Sequence, residues 1–329
     1  MPVERQTVIE ITGPGGPSVL RPALAPVPQP QAGELLIRVT SAGVNRHDCH
    51  QRASGTLHDG HPVPGLEVSG EVVVAGENAG FRPGDRVMAL VQGGGYAQFV
   101  LANSALTFPV PPLLDDDEAA ALPEALFTTW WNFFGFMKLE SHEFALIHGG
   151  TSGVGHIALQ VLSALGFRIV ATAGTDPKVA AAKRYGAHLA VRYDDPELAS
   201  KVRQATDNQG IGALLDMSAG AHFAHDLEMM APDGRIAHLS GGGGKLLQVP
   251  LQKLMAKRIR LTGSLLRPLP LAMKAAVASE IKERLWPLLG TEIRPTISHK
   301  FDFLDAAKAH GEMERNMHIG KIVLNVRGN

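Results

Sequence analysis

The stretch Ala145–Gln160 reads ALIHGGTSGVGHIALQ, in which an apolar run is followed by a glycine-rich turn and then by apolar residues at helical spacing. In the nucleotide-binding motif G-x-G-x-x-G, glycines allow a tight turn, close approach of the backbone to pyrophosphate, and tight packing of the next helix. Here the motif is Gly150–Gly155, with Ser152 in place of the middle glycine. Because the turn lies between a predicted strand and a predicted helix, it predicts a nucleotide site; the alternative is an ordinary βα turn.

The segments around this turn alternate between strand and helix patterns. From about Pro123 onward, short apolar runs such as RIVATAG, HLAVRY and GALLDMS alternate with helical stretches. This alternation predicts a parallel sheet covered by helices on both faces. The preceding part of the chain has β-branched segments separated by Gly, Pro and Asp, which predicts a partly closed antiparallel barrel or sandwich.

The composition is typical of a globular protein and excludes several classes of function. The 329 residues and 35.0 kDa suffice for two domains with substantial cores. A net charge of -1 and a pI near 6.9 give no electrostatic attraction for nucleic acid or a membrane surface, so we expect neither as a partner. The single cysteine, Cys49, excludes an internal disulfide. The first residues contain no apolar secretory core, and no run approaches the ~18 apolar residues of a membrane span, so we expect a cytoplasmic protein.

The residues after the next predicted strand bear on the choice of nucleotide. NAD-binding proteins usually place an acidic residue there, which accepts hydrogen bonds from the 2′-hydroxyl of the adenosine ribose. In RIVATAGTDPK this position is Ala173 or Gly174, and Lys178 follows shortly after. Asp176, before Pro177, is predicted to cap a helix. A small residue leaves room for a 2′-phosphate and a lysine supplies countercharge, which predicts NADPH as the cofactor; the alternative for Lys178 is a solvated surface lysine.

Several motifs, in their order along the chain, resemble those of a known family. They are SAGVNRHDCHQR, GLEVSGEVVVAG, FRPGDRVMAL, GGYAQF, LPEALFTTW, LIHGGTSGVG, GSLLR and HIGKIVL, and they extend over nearly the whole chain. The chain resembles the quinone oxidoreductase (zeta-crystallin-like) branch of the medium-chain dehydrogenases/reductases, and within it the p53-inducible type. The resemblance implies an α/β protein in which a Rossmann NADPH-binding domain, residues 125–266, is inserted in a β-rich GroES-like catalytic domain, residues 1–124 and 267–329.

The resemblance also implies a set of cofactor-binding residues. Those expected at the nicotinamide are Thr128, Leu266, Arg267 and Asn316; those at the pyrophosphate are Ser152, Gly153 and Val154; those at the 2′-phosphate are Gly174, Lys178 and Tyr193; and those along the middle of the cofactor are Ser218, Ser240 and Gly241. The alternatives are that Tyr193 packs over a loop and that Asn316 caps a helix.

The positions of a catalytic zinc site do not carry the residues that zinc requires. Zinc-dependent relatives in this superfamily use an early cysteine and a His-Glu pair among their ligands. Here the first position is Asn45 and the pair is Leu66-Glu67, so no tetrahedral site forms from them. We therefore predict that no metal is bound and that Glu67 orients Asn45 or a backbone amide.

A separate group of potential ligands lies nearby in the sequence. It consists of His47, Cys49, His50, His58 and His61. Their spacing is irregular, and adjacent residues are poorly placed to ligate one ion together. We interpret them as ordinary surface and loop residues.

Without a metal there is no Lewis acid to polarise a simple ketone, so the substrate must already be electrophilic. This predicts a reductase that transfers hydride from NADPH to quinones or α,β-unsaturated carbonyls. Asn45 is a candidate for a polar contact to the substrate or to the nicotinamide ribose, with a turn asparagine as the alternative. Tyr96 is a second candidate for positioning the substrate. The tyrosine that family members often carry shortly after the QR of this loop is missing, since residues 56 and 57 are Thr and Leu.

Two other functions remain open from the sequence. One is a reductase of enoyl thioesters or alkenals, and the other is an NADPH-binding protein without turnover. The late strand-like segment KRIRLTGSLL predicts a homodimer, because exposed edge strands tend to pair and the family commonly dimerises in this way.

Overall fold

The chain divides into two compact units, one of which is inserted in the other. The computed structural model describes residues 4–57, 62–217, 223–240 and 246–327. Unit one comprises Met1–Ala125 and Leu271–Asn329, and unit two comprises Leu126–Pro270. None of the helices in the described ranges is long and apolar enough to span a bilayer.

The strands are listed here in chain order. They are β1 (Arg5–Ile11), β2 (Leu20–Pro26), β3 (Glu34–Val44), β4 (Glu67–Ala75), β5 (Arg86–Leu90), β6 (Phe99–Asn103), β7 (Thr107–Pro109), β8 (Phe144–His148), β9 (Arg168–Ala173), β10 (Leu189–Arg192), β11 (Ile211–Asp216), β12 (Met230–His238), β13 (Arg260–Gly263), β14 (Ile297–Asp302) and β15 (Lys321–Asn325).

The α-helices connect and cover these strands. They are α1 (Arg46–Ser54), α2 (Asp116–Ala120), α3 (Pro123–Trp130), α4 (Gly155–Ala164), α5 (Asp176–Arg184), α6 (Leu198–Ala205), α7 (Phe223–Met229), α8 (Leu251–Ala256), α9 (Leu271–Arg284) and α10 (Ala306–Arg315). The apolar helix expected after Pro123 is α-helical only as far as Trp130, and Trp131–Phe136 continue it as a π-helix.

Unit two has the strand order expected for a dinucleotide-binding fold. Within the described residues its sheet has the order β10-β9-β8-β11-β12-β13, and every neighbouring pair is parallel. Numbered from β8, this order is 3-2-1-4-5-6. Side chains along β8 alternate between two buried cores, with Ala145 and Ile147 in one and Phe144 and Leu146 in the other. The sheet is therefore covered on both faces, which explains its continuous apolar runs.

Unit one is β-rich and is built from both parts of its chain. In the part of the chain that the structure describes, a seven-stranded sheet has the order β14-β15-β3-β4-β5-β7, with β6 also paired to β3. The antiparallel pairing predicted for the part of the chain before Pro123 is confirmed for β3 to β7, whereas β14 and β15, from the C-terminal part, are parallel. The crossover helix α10 lies between these two strands in the chain, and such a connection allows parallel pairing. The last strand, β15, pairs with β3, so the N-terminal and C-terminal parts of this unit meet in one sheet.

Two helical glycines provide a stability prediction with an internal control. A Cβ on Gly155, the first residue of α4, would lie 2.2 Å from the Gly149 carbonyl oxygen, whereas a Cβ on Gly311 in α10 would meet nothing within 4 Å. We expect Gly155→Ala to lower the free energy of unfolding by about 1–3 kcal/mol, because the backbone must shift. Gly311→Ala should raise it by up to about 1 kcal/mol. Urea unfolding measures both, and an unchanged midpoint for Gly155→Ala would contradict the close approach.

Candidate functional site

The glycine-rich turn joins β8 to α4 through contacts that larger residues would block. Gly149 has a positive φ of 73°. A Cβ on Gly150 would lie 2.9 Å from Ala171 Cβ on β9, and the close approach of Gly155 to Gly149 has been described above. The Ser152 hydroxyl accepts a hydrogen bond from the Gly155 amide at 3.0 Å. The turn thus brings the start of α4 close to the sheet, a backbone arrangement that accommodates pyrophosphate.

This turn lies at the point where the strand order of unit two reverses. From β8 the chain runs outward through β9 and β10, and then returns to the other side of β8 with β11. In open α/β sheets, ligands bind beyond the carboxyl ends of the strands at such a point. The fold therefore makes this edge the expected nucleotide site.

The structure places most of the expected cofactor residues of unit two at or after the carboxyl ends of its strands. Ser152, Gly153 and Val154 lie in the turn after β8; Gly174 follows β9; Tyr193 follows β10; Ser240 lies two residues past β12; and Leu266 and Arg267 lie, half-buried, in the turn after β13. Thr128 is buried on α3, and its carbonyl accepts a hydrogen bond from Asn132. Ser218 and Gly241 lie outside the described residues.

Gly174, Lys178 and Tyr193 define the edge where the adenosine ribose is expected. A Cβ on Gly174 would lie 3.0 Å from the Tyr193 hydroxyl oxygen, so Tyr193 packs directly against this glycine. Lys178 lies in the first turn of α5, and partial burial lowers the pKa of its ammonium. The predicted helix cap was Asp176, but the cap is Thr175, whose hydroxyl accepts a hydrogen bond from the Lys178 amide. Asp176 is instead the first helical residue, because Thr175 has the extended backbone of a cap, and the 85% exposed Asp176 side chain lies 3.7 Å from Arg192.

Arg192 is a second cation at this edge, and the sequence reasoning missed it. Arg192 ends β10, where its guanidinium donates to both carboxylate oxygens of Asp194, at 2.8 and 2.7 Å, and lies 3.7 Å from Asp176. Exposed pairs of this kind contribute little stability, so the guanidinium can exchange a carboxylate for another anion. An arginine at the end of a strand carries no distinctive sequence signal.

A buried histidine ties the strand before the turn to its neighbours. His148, the last residue of β8, lies 2.9 Å through Nε2 from Asp226 Oδ1 and 2.7 Å through Nδ1 from the Thr172 hydroxyl. Burial alone would lower the pKa of His148, but the hydrogen bond and charge of Asp226 outweigh it and raise the pKa. These contacts hold the carboxyl ends of β8 and β9 to α7. The sequence did not reveal it, because Asp226 is 78 residues away.

Unit one contains a buried ring of three polar side chains, which we call the Asn45 ring. Lys321 Nζ donates to Asn45 Oδ1 at 2.7 Å and to Glu67 Oε1 at 2.5 Å, and Asn45 Nδ2 donates to the same Glu67 oxygen at 2.9 Å. The other Glu67 oxygen accepts a hydrogen bond from the Glu124 amide at 2.9 Å. The side chains of Lys321 and Glu67 are 1% and 0% exposed, so the ion pair is fully desolvated.

The prediction for Glu67 is confirmed in both of its alternatives, since Glu67 orients Asn45 and also binds a backbone amide. Lys321 was missed. Gly320 has a positive φ of 87°, and a Cβ there would lie 2.2 Å from the Thr296 carbonyl oxygen. This tight turn at the start of β15 brings Lys321 into the interior.

Tyr96 lies in the core of unit one, which corrects the prediction that it positions a substrate. It has no exposed surface, and its hydroxyl lies 3.3 Å from Asp48 Oδ2 and 3.1 Å from His310 Nε2. The preceding glycine, Gly95, passes so close to Gly65 that a Cβ would lie 3.0 Å from the Gly65 backbone, and this contact draws Tyr96 inward.

Asp48 links this core network to the Asn45 ring. Its carboxylate accepts hydrogen bonds from the amides of Asn45 and Gly65, at 2.8 and 3.1 Å. Burial nevertheless raises the pKa of Asp48 to about 7. Asp48 therefore holds together the two chain segments that lead to Asn45 and Glu67.

The remaining predicted residues of unit one are Asn316 and the group of potential metal ligands around Cys49. Asn316 ends α10 in the left-handed conformation at φ 59°, and its side-chain oxygen accepts a hydrogen bond from Arg46. Cys49 is buried, which raises the pKa of its thiol to about 12 and makes it a poor metal ligand. His58 and His61 lie outside the described residues, and the described ones include no group of three or more potential ligands arranged for a metal.

Comparison with known proteins identifies the family. A model described as alcohol dehydrogenase GroES-like domain matches residues 31–112, and one described as zinc-binding dehydrogenase matches residues 153–283. A solved mycobacterial quinone oxidoreductase is 30% identical, with a TM-score of 0.85, over 98% of this chain and 100% of that chain. A mycobacterial structure complexed with NADPH is 28% identical, with a TM-score of 0.83, over the same shares. The quinone oxidoreductase of Sus scrofa is 29% identical over 310 residues, 91% of each chain.

These matches cover both units, and the chain therefore belongs to the medium-chain dehydrogenases/reductases, in their quinone oxidoreductase branch. It is an oxidoreductase that uses a nicotinamide cofactor. The family and the fold expected from the sequence are confirmed. The span described as zinc-binding does not include Asn45 or Glu67, so that description says nothing about metal at those residues.

The core network around Tyr96 leads to a prediction about acid stability. Burial, aided by the charges of Arg52 and Arg46, lowers the pKa of His310 to about 3. In the unfolded chain this pKa is about 6.5, so between these values the unfolded state binds more protons. The contribution of neutral His310 is therefore complete above pH 6.5 and is lost as the pH falls toward 3.

We expect His310→Gln to flatten the decline in unfolding free energy between pH 6.5 and 3, as measured by urea titrations at several pH values. His299→Gln, at an exposed histidine of β14, is the matched control and should leave the slope unchanged. Equal slopes for the wild type and His310→Gln would contradict the assignment.

Proposed function

We propose that the protein is an NADPH-dependent, metal-free reductase of quinones and other electrophilic α,β-unsaturated carbonyls. The observation that carries the cofactor choice is the adenosine edge of unit two. Gly174 stands where an NAD-specific carboxylate is expected, with the Tyr193 hydroxyl against it and Lys178 in the next helical turn. A relative solved with NADPH supports the same choice.

The case against a metal rests on the Asn45 ring. Asn45 Oδ1 and both oxygens of Glu67 are already engaged by Lys321, Asn45 and the Glu124 amide. A divalent cation at this point would also be repelled by the Lys321 ammonium. These residues therefore do not fit a zinc ion, and they support a reaction whose substrate needs no Lewis acid.

The turn fits a dinucleotide, because its glycines let the backbone at the start of α4 lie close against the sheet. When bound, the reduced nicotinamide supplies a hydride. The contribution of this chain is to hold the pyrophosphate at Ser152–Gly155, to neutralise the 2′-phosphate with Lys178, and to offer the Asn45 amide to a polar group.

Cofactor oxidation by the purified protein tests the proposal. With an ortho-quinone as acceptor we expect turnover that prefers NADPH to NADH and that survives dialysis against a chelator. Lys178→Ala should weaken the binding of NADPH about tenfold, because a charge-assisted hydrogen bond to the 2′-phosphate is lost. The binding of NADH should change little. Lys183→Ala, at an exposed lysine of the same helix, is the control. Equal losses for both cofactors would remove the case for a phosphate-binding lysine.

The same assay separates the alternatives. Faster turnover of a crotonyl thioester than of the quinone would favour the enoyl-thioester reductase, and tight NADPH binding with no turnover of any acceptor would favour a non-catalytic role. Activity that is lost on chelation and restored by zinc would contradict the metal-free mechanism.

We also propose a homodimer formed through β13. This strand lies at one edge of the sheet of unit two and pairs, among the described residues, with β12 alone. The neighbouring Leu265 is 64% exposed. Unpaired strand edges with apolar surroundings favour association.

Light scattering should give twice the 35.0 kDa chain mass at micromolar concentration. We expect Leu265→Asp to shift the equilibrium toward monomer, because it places charge beside the pairing edge. Leu24→Asp, at a leucine of unit one with 66% exposure, should leave the mass unchanged. A wild-type monomer would refute the dimer.

A further inference from the structure

The Asn45 ring fixes which end of the Asn45 amide faces which partner. An ammonium can only donate hydrogen bonds and a carboxylate can only accept them. Because Oδ1 lies 2.7 Å from Lys321 Nζ and Nδ2 lies 2.9 Å from Glu67 Oε1, the reverse orientation would oppose donor to donor and acceptor to acceptor. The amide orientation is therefore set by two charges.

The closed ring also decides which amide hydrogen is used. Lys321 Nζ bridges Asn45 Oδ1 and Glu67 Oε1, and Nδ2 donates back to the same Oε1. Ring closure requires the hydrogen on Nδ2 that is syn to Oδ1. The anti hydrogen is left pointing away from the ion pair. Asn45, at 7% exposure, is also the most accessible of the three residues.

We propose that Asn45 donates this anti N–H to the carbonyl oxygen of the acceptor, and that Glu67 and Lys321 are positioning residues that hold the amide in this orientation. The inference rests on the proposed function and goes beyond it, because it assigns the group that stabilises charge on the substrate. It also assigns a role to the buried ion pair.

The reaction step balances without a strong acid. The hydride brings two electrons and one hydrogen to the electrophilic atom of the quinone or enone, and the displaced π-electron pair moves to the carbonyl oxygen. That oxygen becomes an oxyanion, which accepts the Asn45 N–H and then takes a proton from water. A hydrogen-bond donor that is already fixed beside the oxygen where negative charge develops lowers the activation barrier of hydride transfer, because the donor need not reorient during the reaction.

The double variant E67Q/K321M tests the positioning role. It removes both charges together and so leaves no unpaired buried charge, but it allows the Asn45 amide to rotate. We expect kcat to fall about tenfold, with NADPH affinity unchanged. Asn45→Ala should lower kcat by about a hundredfold, the usual effect of losing one such donor.

A third variant makes the test specific. If Glu67 and Lys321 act through Asn45, the triple variant N45A/E67Q/K321M should be no slower than N45A alone. The loss in E67Q/K321M should also be larger for a weakly electrophilic enone than for an ortho-quinone, since the weaker electrophile depends more on the donor. Lys321→Arg, which keeps the cation, should retain more of the wild-type kcat than E67Q/K321M does.

A matched control separates positioning from simple loss of stability. E143Q/R235M makes the same kind of change in a largely buried ion pair of unit two, in which the side chains of Glu143 and Arg235 are 16% and 9% exposed. It should lower the melting temperature without changing kcat or its dependence on the acceptor. Additive losses in the triple variant, or equal kcat losses in the two ion-pair variants, would overturn the inference. So would a change confined to NADPH affinity, which would place the donor on the cofactor.

A second measurement does not depend on turnover. If the wild type reduces no acceptor, the proposed function fails, and NMR of the Asn45 side-chain amide still decides the inference. We expect one of the two amide protons to be strongly protected from exchange with solvent, and this protection should be lost in E67Q/K321M. The chemical shift of the other proton should change when a non-reacting carbonyl ligand is added to the protein with NADP⁺. Two equivalent, rapidly exchanging protons would refute the fixed donor.

Discussion

The desolvated ion pair between Glu67 and Lys321 is the interaction on which unit one most depends. It joins the start of β4 to the start of β15, and with Asn45 it ties both to the end of β3. Two buried charges of this kind stabilise a fold only when every remaining donor and acceptor is satisfied. Here the second Glu67 oxygen accepts a hydrogen bond from the Glu124 amide, and the Lys321 ammonium donates one to the Asn45 side-chain oxygen. Removing one partner would leave an unpaired charge in a fully buried site.

The two units use backbone and charge in different ways. In unit two, glycines bring the turn against the sheet, and the groups proposed to bind the pyrophosphate are largely backbone amides at the start of a helix. In unit one, polar side chains are buried in connected networks, one around Asn45 and one around Tyr96, with Asp48 between them. Such networks specify one arrangement of side chains, because each member would be costly to leave unpaired.

The sequence predicted what local pattern determines. The alternation of strands and helices predicted the parallel sheet of unit two, and the glycine spacing predicted the turn at Gly150–Gly155. Lys321 was missed because a lysine at the start of a strand is usually solvated, and its partner Glu67 lies 254 residues away. Tyr96 was misplaced for a similar reason: its burial follows from Gly65 and Gly95 approaching each other, and no local pattern records that contact. Thr175 and Asp176 are both good cap residues, and only the local backbone decides between them.

The distance in sequence between the partners of the Asn45 ring has a consequence for synthesis. All six strands of the sheet of unit two lie between residues 144 and 263, so that sheet can form once this span has left the ribosome. Glu67 and Asn45 are made much earlier, but their ammonium partner is made only near residue 321. Until then Glu67 lacks the cation that neutralises it, so burying this carboxylate in unit one is unfavourable. Unit two is thus able to fold first, whereas the Asn45 ring of unit one can form only after β15 has been made.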